Sequence, residues 1–172
     1  MDNNDRERVC DLLNDLIKLD YDAIEAYEAA VKRTDDQTIR NRLMEFLQDH
    51  QRHTQNLGEE VRRLGGTPAD GAGMMRLLTE GSVLLGAFME DRGVLKAMSK
   101  NEAVTNRAYE SALGKLGNHP AGAVVQQNRD DERRHKAWID QQLEAMGGDA
   151  VDPGAINAGR QPGSRGNLGD RR

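Results

Sequence analysis

Aromatic residues are scarce in this chain: two Phe, three Tyr and one Trp make up 3% of its 172 residues. Sheets draw on aromatic and β-branched residues, so their scarcity beside abundant Ala, Leu, Glu, Arg and Gln points to an all-α protein. The single cysteine, Cys10, excludes an internal disulfide and suits a reducing compartment. The first residues, MDNNDRERVC, have no apolar signal-peptide core, so the cytoplasm is the expected location. No apolar run approaches the roughly 20 residues of a membrane helix; the most apolar stretch, around Val83 to Met89, is far shorter. No membrane association is expected. Positive charge is not in excess either. A formal net charge of -5 excludes a broad basic face, so no nucleic-acid partner is expected.

What is present is order on two scales. The longer is an internal repeat: Ala26-Tyr27-Glu28 recurs as Ala108-Tyr109-Glu110, Asp49, Arg52 and His53 recur as Asp131, Arg134 and His135, and Leu64-Gly65-Gly66 recurs as Met146-Gly147-Gly148. Every match has the same offset of 82 residues, so the chain reads as two copies of one unit. Within each unit, helical periodicity is broken once, near Thr34-Asp35-Asp36 and between Gly114 and Pro120, so each unit is a helical hairpin.

The spacing predicts helices over Asp5 to Arg33, Asp36 to Leu64, Asp91 to Leu113 and Pro120 to Met146. Gly65-Gly66 and Gly147-Gly148 are placed to cap helix ends, and Pro120 suits a first helical position. A crossover from Thr67 to Glu90, with a short extra helix over Met74 to Met89, joins the hairpins. Residues 1–148 are thus expected to form one four-helix bundle. Residues 149–172, rich in Gly, Pro, Asn and Arg, form an expected flexible tail.

On the shorter scale, the apolar stripe of each helix is interrupted at its middle. Helix 1 reads Val9, Leu13, Leu16, Asp20, Ala23, Tyr27, Ala30. Helix 2 reads Ile39, Leu43, Phe46, His50, His53, Leu57, Leu64. Helix 3 reads Leu95, Met98, Glu102, Thr105, Tyr109, Ala112, and helix 4 reads Val125, Asn128, Glu132, His135, Ile139, Met146. Six titratable groups at one level of a core would be prohibitively costly without neutralisation. Divalent metal supplies it, because carboxylate and imidazole together suit iron and manganese, and residues three apart on a helix chelate from one side. The candidate ligands are Asp20, His50, His53, Glu102, Glu132 and His135. A hydrogen-bonded polar layer is the competing reading. Tyr27 and Tyr109 are expected to be core residues hydrogen-bonded near the site, Trp138 a packing residue and Cys10 an inert one.

These motifs resemble the ferritin-like superfamily, bacterioferritin in particular. Glu132-Arg133-Arg134-His135, with Asp131 before it and Trp138 after it, is similar to the pattern D-E-x-x-H-x-x-W. Asp20 and Glu102, each followed seven residues later by a tyrosine, resemble the single-carboxylate helices. The whole chain more closely resembles uncharacterised bacterial ferritin-like proteins of the DUF2383 type. The resemblance implies an antiparallel bundle holding two iron ions, with Mn or Zn as alternatives. It also implies oxidase or ferroxidase-type reaction with O2 or peroxide, in iron handling or oxidative-stress defence.

Two departures stand out: Asp20 is one methylene shorter than the family's Glu, and His50 stands where a metal-bridging carboxylate is usual. Three carboxylates carry -3 against the usual -4, which leaves a weaker second metal, help from hydroxide or Asp49, or a mononuclear or zinc site as alternatives. Asp49 and Asp131 are placed to accept the outer N–H of a histidine on a neighbouring helix. The other functional class is a stress-associated structural or interaction bundle with a zinc-bound or empty site. Homo-oligomerisation is left open. The last residues, Arg165 to Arg172, faintly resemble peptides that dock cargo into encapsulin shells, although Asp170 takes the place of an apolar anchor.

Overall fold

A computed structural model describes residues 2–71 and 90–147. The elements are α1 (Asn3–Arg33), α2 (Gln37–Arg63), α3 (Asp91–Leu116) and α4 (Gly122–Gly147), and there is no strand among the described residues. The expected helix over Met74 to Met89, the cap at Gly148, the tail and the encapsulin-like terminus all lie outside the described residues.

Local chemistry sets the helix ends. Asp2 caps α1 by accepting from the Asp5 amide at 2.7 Å. Asp36 caps α2 by accepting from the Thr38 and Ile39 amides at 2.8 and 2.9 Å, so two otherwise orphaned donors are satisfied. The tight turn between these helices is tied to the second hairpin by Asp91, which accepts from the Asp35 and Asp36 amides. At the other end of α2, Gly65 takes φ +80° and donates to the Arg62 carbonyl, while Gly66 donates to that of Val61. This reciprocal closure needs a left-handed residue, which glycine provides without a Cβ clash. Gly66 leaves no room for more, since a Cβ there would meet Cys10 Sγ at 2.8 Å.

Several boundaries differ from the sequence expectation by one to three residues, α1 for instance beginning at Asn3 rather than Asp5, and two of these differences have a visible cause. α3 runs through Gly114 to Leu116, because Leu116 is buried and its packing outweighs the helix cost of one glycine; the stop falls at Gly117, φ +55°. α4 begins at Gly122 rather than Pro120, since the Ala121 amide donates locally to His119 Nδ1 at 3.1 Å, and Pro120 sits in the turn.

The buried side chains form two apolar clusters with a polar layer between them. One joins Val9, Leu13, Leu16 and Ile17 of α1 to Leu57 and Val61 of α2, Tyr109 and Leu116 of α3, and Val125 of α4. The other joins Ala26, Tyr27 and Ala30 to Ile39, Leu43, Phe46, Leu95, Met98 and Ile139, with Trp138 packed against it. Early α1 therefore meets late α3, so these two helices run antiparallel. Each large aliphatic side chain buried here contributes about 1.5–3 kcal/mol. That apolar support on both sides can carry a polar layer that is costly on its own.

Candidate metal centre

The polar layer is fully buried. Asp20, His50, His53, Glu102, Glu132 and His135 all have 0% exposure, and they lie where the four stripes are interrupted. Two overlapping groups of four bring ligand atoms within 4.8 Å of one another: Asp20, His50, His53 and Glu132, and His50, Glu102, Glu132 and His135. All six residues singled out in the sequence thus come together, and His50 and Glu132 belong to both groups.

The repeat imposes a two-fold logic on the contacts. Tyr27 donates its hydroxyl to Glu102 at 2.5 Å, and its counterpart Tyr109 donates to Asp20 at 2.6 Å. Each tyrosine thereby fixes the carboxylate of the other hairpin. Burial and the adjacent Glu102 charge push the Tyr27 hydroxyl well above its usual pKa, and burial with Asp20 does the same to Tyr109, so both remain protonated donors.

The outer histidines follow the same rule. His53 Nε2 lies 3.2 Å from Asp131, and His135 Nε2 lies 2.9 Å from Asp49, each pairing across from α2 to α4 or back. With the Nε2 proton committed outward, Nδ1 is left facing the interior. Two arginines close a ring around this arrangement. Arg52 reaches Asp49 at 2.7 Å and Asp131 at 2.8 Å, and Arg134 reaches both at 2.5 Å. Burial opposes the charge on Asp49, but the His135 and Arg52 hydrogen bonds hold its pKa at about 2. Asp131 is likewise held far below its usual value by His53, Arg134 and Arg52 against burial. The aspartates were legible from the sequence as histidine partners. The arginines were not, because no periodicity shows which exposed guanidinium will bridge two helices.

The interior atoms lack conventional partners. Glu132 Oε1 and Oε2, Glu102 Oε2, His50 Nε2, His53 Nδ1 and His135 Nδ1 are buried without a hydrogen bond. His53 Nδ1 is 3.1 Å from Glu132 Oε1, close enough but misaligned. Such a set of converging donor atoms fits a cation better than a hydrogen-bonded layer, in which unpaired buried groups are rare.

Without metal, protons provide part of the neutralisation. Burial would discharge His53, yet its hydrogen bond to Asp131 and the nearby carboxylates of Asp20 and Glu132 raise its pKa to about 10. His50 is raised well above its usual value against burial by Glu132, Asp20 and Glu102. His135 moves the other way, burial being its largest influence. Asp20 and Glu102 are held low against burial by His50 and its histidine neighbours, whereas burial, with Glu102 and Asp20 adding to it and His50 opposing, lifts Glu132 to about 7. Metal entering such a site must displace protons.

One buried group was missed from the sequence. Asp22 is 3% exposed, with neither oxygen hydrogen-bonded, and burial aided by Glu25 lifts it to about 6. It lies off the interrupted stripe, so periodicity carried no signal for it.

A bundle of four long helices with carboxylates and histidines at its mid-plane is a ferritin-like architecture, and solved structures agree. The chain is similar to a ferritin-like, diiron-carboxylate protein from Bacillus anthracis, at TM-score 0.66 and 22% identity over 83% of this chain and 99% of that one. It is similar to the Desulfovibrio desulfuricans bacterioferritin, described with a diiron site, at TM-score 0.68 and 18% identity over 98% and 99%. A third match is an Anabaena variabilis protein with DJ-1/ThiJ/PfpI-like and ferritin-like domains, at TM-score 0.69 and 14% identity. It spans 94% of this chain and 42% of that one. No curated protein matches in sequence. The chain belongs to the DUF2383 family, a domain of unknown function, whose model matches residues 8–115. No helix among the described residues is long and apolar enough to cross a membrane.

Proposed function

We propose that this chain is a dimetal protein in which Asp20, His50, His53, Glu102, Glu132 and His135 hold two divalent ions, iron first and manganese or zinc as alternatives. Its activity is an oxidase or ferroxidase-type reaction with O2 or peroxide, serving iron handling or oxidative-stress defence. The observation that carries this reading is the convergence of six fully buried ligand-type side chains in two overlapping groups of four. Diiron sites in the similar solved structures add weight.

Bound iron would supply the redox chemistry, and the chain supplies geometry and dryness. Tyr27 and Tyr109 orient Glu102 and Asp20, and Asp49 and Asp131 turn the histidine Nδ1 atoms inward. The apolar clusters on both sides limit water. Aerobic oxidation of added Fe(II), followed in the near-ultraviolet, should outpace a protein-free blank and collapse in Glu132→Ala. Equal rates with and without protein would refute turnover.

A specific observation supports a second reading. Each group holds two carboxylates and two histidines, a number and type of ligand that suits tetrahedral zinc, and an ion in one group takes His50 and Glu132 from the other. A mononuclear or zinc-bearing interaction bundle would then be the result. Metal analysis after separate loading with iron and zinc distinguishes the two: about two iron ions per chain favour the first, and one zinc with no retained iron the second.

A further inference from the structure

His50 differs from the other two histidines in where its nitrogens go. His53 and His135 each commit Nε2 outward to an aspartate, which leaves one nitrogen apiece for the interior. His50 makes no such outward contact. Its Nδ1 lies 2.9 Å from Asp20 Oδ1 and 3.4 Å from Glu132 Oε1, while its Nε2, without a hydrogen-bond partner, lies 3.7 Å from Glu102 Oε1. The two nitrogens therefore face different ligand groups. The ring is also midway between the other imidazoles, its centroid 5.5 Å from that of His53 and 5.4 Å from that of His135.

We infer that His50 bridges two metal ions through its ring, giving Nδ1 to an ion held by Asp20, His53 and Glu132 and Nε2 to one held by Glu102 and His135. The inference rests on the dimetal reading above. On loading, each ring nitrogen exchanges the proton it carries for a metal bond, and the protons leave to solvent; no electron is transferred.

Charge supports the same arrangement. Three carboxylates bring -3 to two divalent ions of +4, and a bridging imidazolate brings the ligand charge to -4. At 0% exposure an uncompensated charge is costly, so the balance matters here more than at a surface. The place that a bridging carboxylate would occupy on α2 is thus filled by a ligand of equal charge and greater reach. The class of metal follows: divalent ions that accept imidazole nitrogen, of which cobalt is a convenient probe.

Spacing is the test. A bridge through the ring holds the ions about 6 Å apart, from two metal–nitrogen bonds of about 2.0–2.1 Å and the ring between them. A carboxylate or hydroxide bridge holds them at about 3.5–4 Å. Crystals of the full chain loaded with Co(II) should show two anomalous peaks about 6 Å apart, and His50→Glu should bring them to the shorter spacing. His50→Gln, a milder change, should keep the first cobalt in titration calorimetry and weaken the second at least about tenfold. Two wild-type peaks at about 3.5–4 Å, or an unchanged second binding step in His50→Gln, would overturn the bridge and leave the dimetal reading intact. A single peak, or none, would overturn the dimetal reading and the bridge with it.

Discussion

One turn before His50 on the first hairpin stands Phe46; at the equivalent place on the second, one turn before Glu132, stands Asn128. Both are buried, but their neighbourhoods differ. Phe46 stacks on His135 with ring centroids 4.2 Å apart and meets Tyr27 and Trp138 edge-on. Asn128 sends Nδ2 to the Tyr109 hydroxyl at 3.5 Å and leaves Oδ1 without a partner. A second exchange runs the same way, since Ala23 on α1 corresponds to buried Thr105 on α3, whose hydroxyl donates to the Asn101 carbonyl. The repeat fixes the depth of the polar groups, and the substitutions within it decide which side of the layer is packed by carbon and which by amide and hydroxyl. Two copies of one hairpin thereby give a site with unlike halves.

The largest test of that contrast is packing. Phe46→Ala should cost about 3–5 kcal/mol in chemical denaturation, as large aromatic truncations in cores do. Asn128→Leu removes an unpaired acceptor and should change stability by less than about 1 kcal/mol. Equal losses at the two positions would show that the halves are packed alike.

Protonation gives the next effect. In metal-free protein His53 is raised to about 10 and Glu132 to about 7, so the folded state binds more protons than the unfolded one across this range. The stability that these groups contribute is complete below their unfolded values, about 6.5 for His and 4.3 for Glu, and is lost as pH rises through the folded ones. Metal-free protein should therefore lose on the order of 2 kcal/mol between about pH 6.5 and 9 in urea melts, and zinc-loaded protein should lose less. Asp49 works oppositely: its contribution is present above about pH 3.9 and disappears as pH falls through about 2.

The smallest effect on stability carries information about the ring. Arg52→Lys and Arg134→Lys each remove a fork that spans two carboxylates, and lysine cannot reproduce it. Because these pairs are half exposed, each change should cost under about 1 kcal/mol of folding stability. Metal affinity by titration calorimetry should nonetheless fall about 10–100-fold, the usual effect of disturbing the groups that orient ligands. The two variants should match, since the ring takes one arginine from each hairpin. A marked difference between them would break the symmetry seen there.

Much of this was legible in the sequence because periodicity and repetition both report depth. The interruption of each stripe located Asp20, His50, His53, Glu102, Glu132 and His135 at one level, and the structure places all six together. The tyrosines could be read as hydrogen-bonded core residues for the same reason. What could not be read is lateral. The pairing of Tyr27 with Glu102 rather than Asp20, the double bridging by each arginine and the direction of each His50 nitrogen depend on which helices adjoin. Helix ends were also imprecise where tertiary packing prevailed, as at Leu116, whose burial carries α3 beyond Gly114.

The central claim is that the six-residue layer holds metal, and metal content measures it most directly. Protein purified without chelator and analysed by inductively coupled plasma mass spectrometry should carry stoichiometric transition metal, and folded Glu132→Gln protein should retain much less. Metal-free wild-type protein whose melting temperature is also unmoved by added Fe(II), Mn(II) or Zn(II) would contradict the claim.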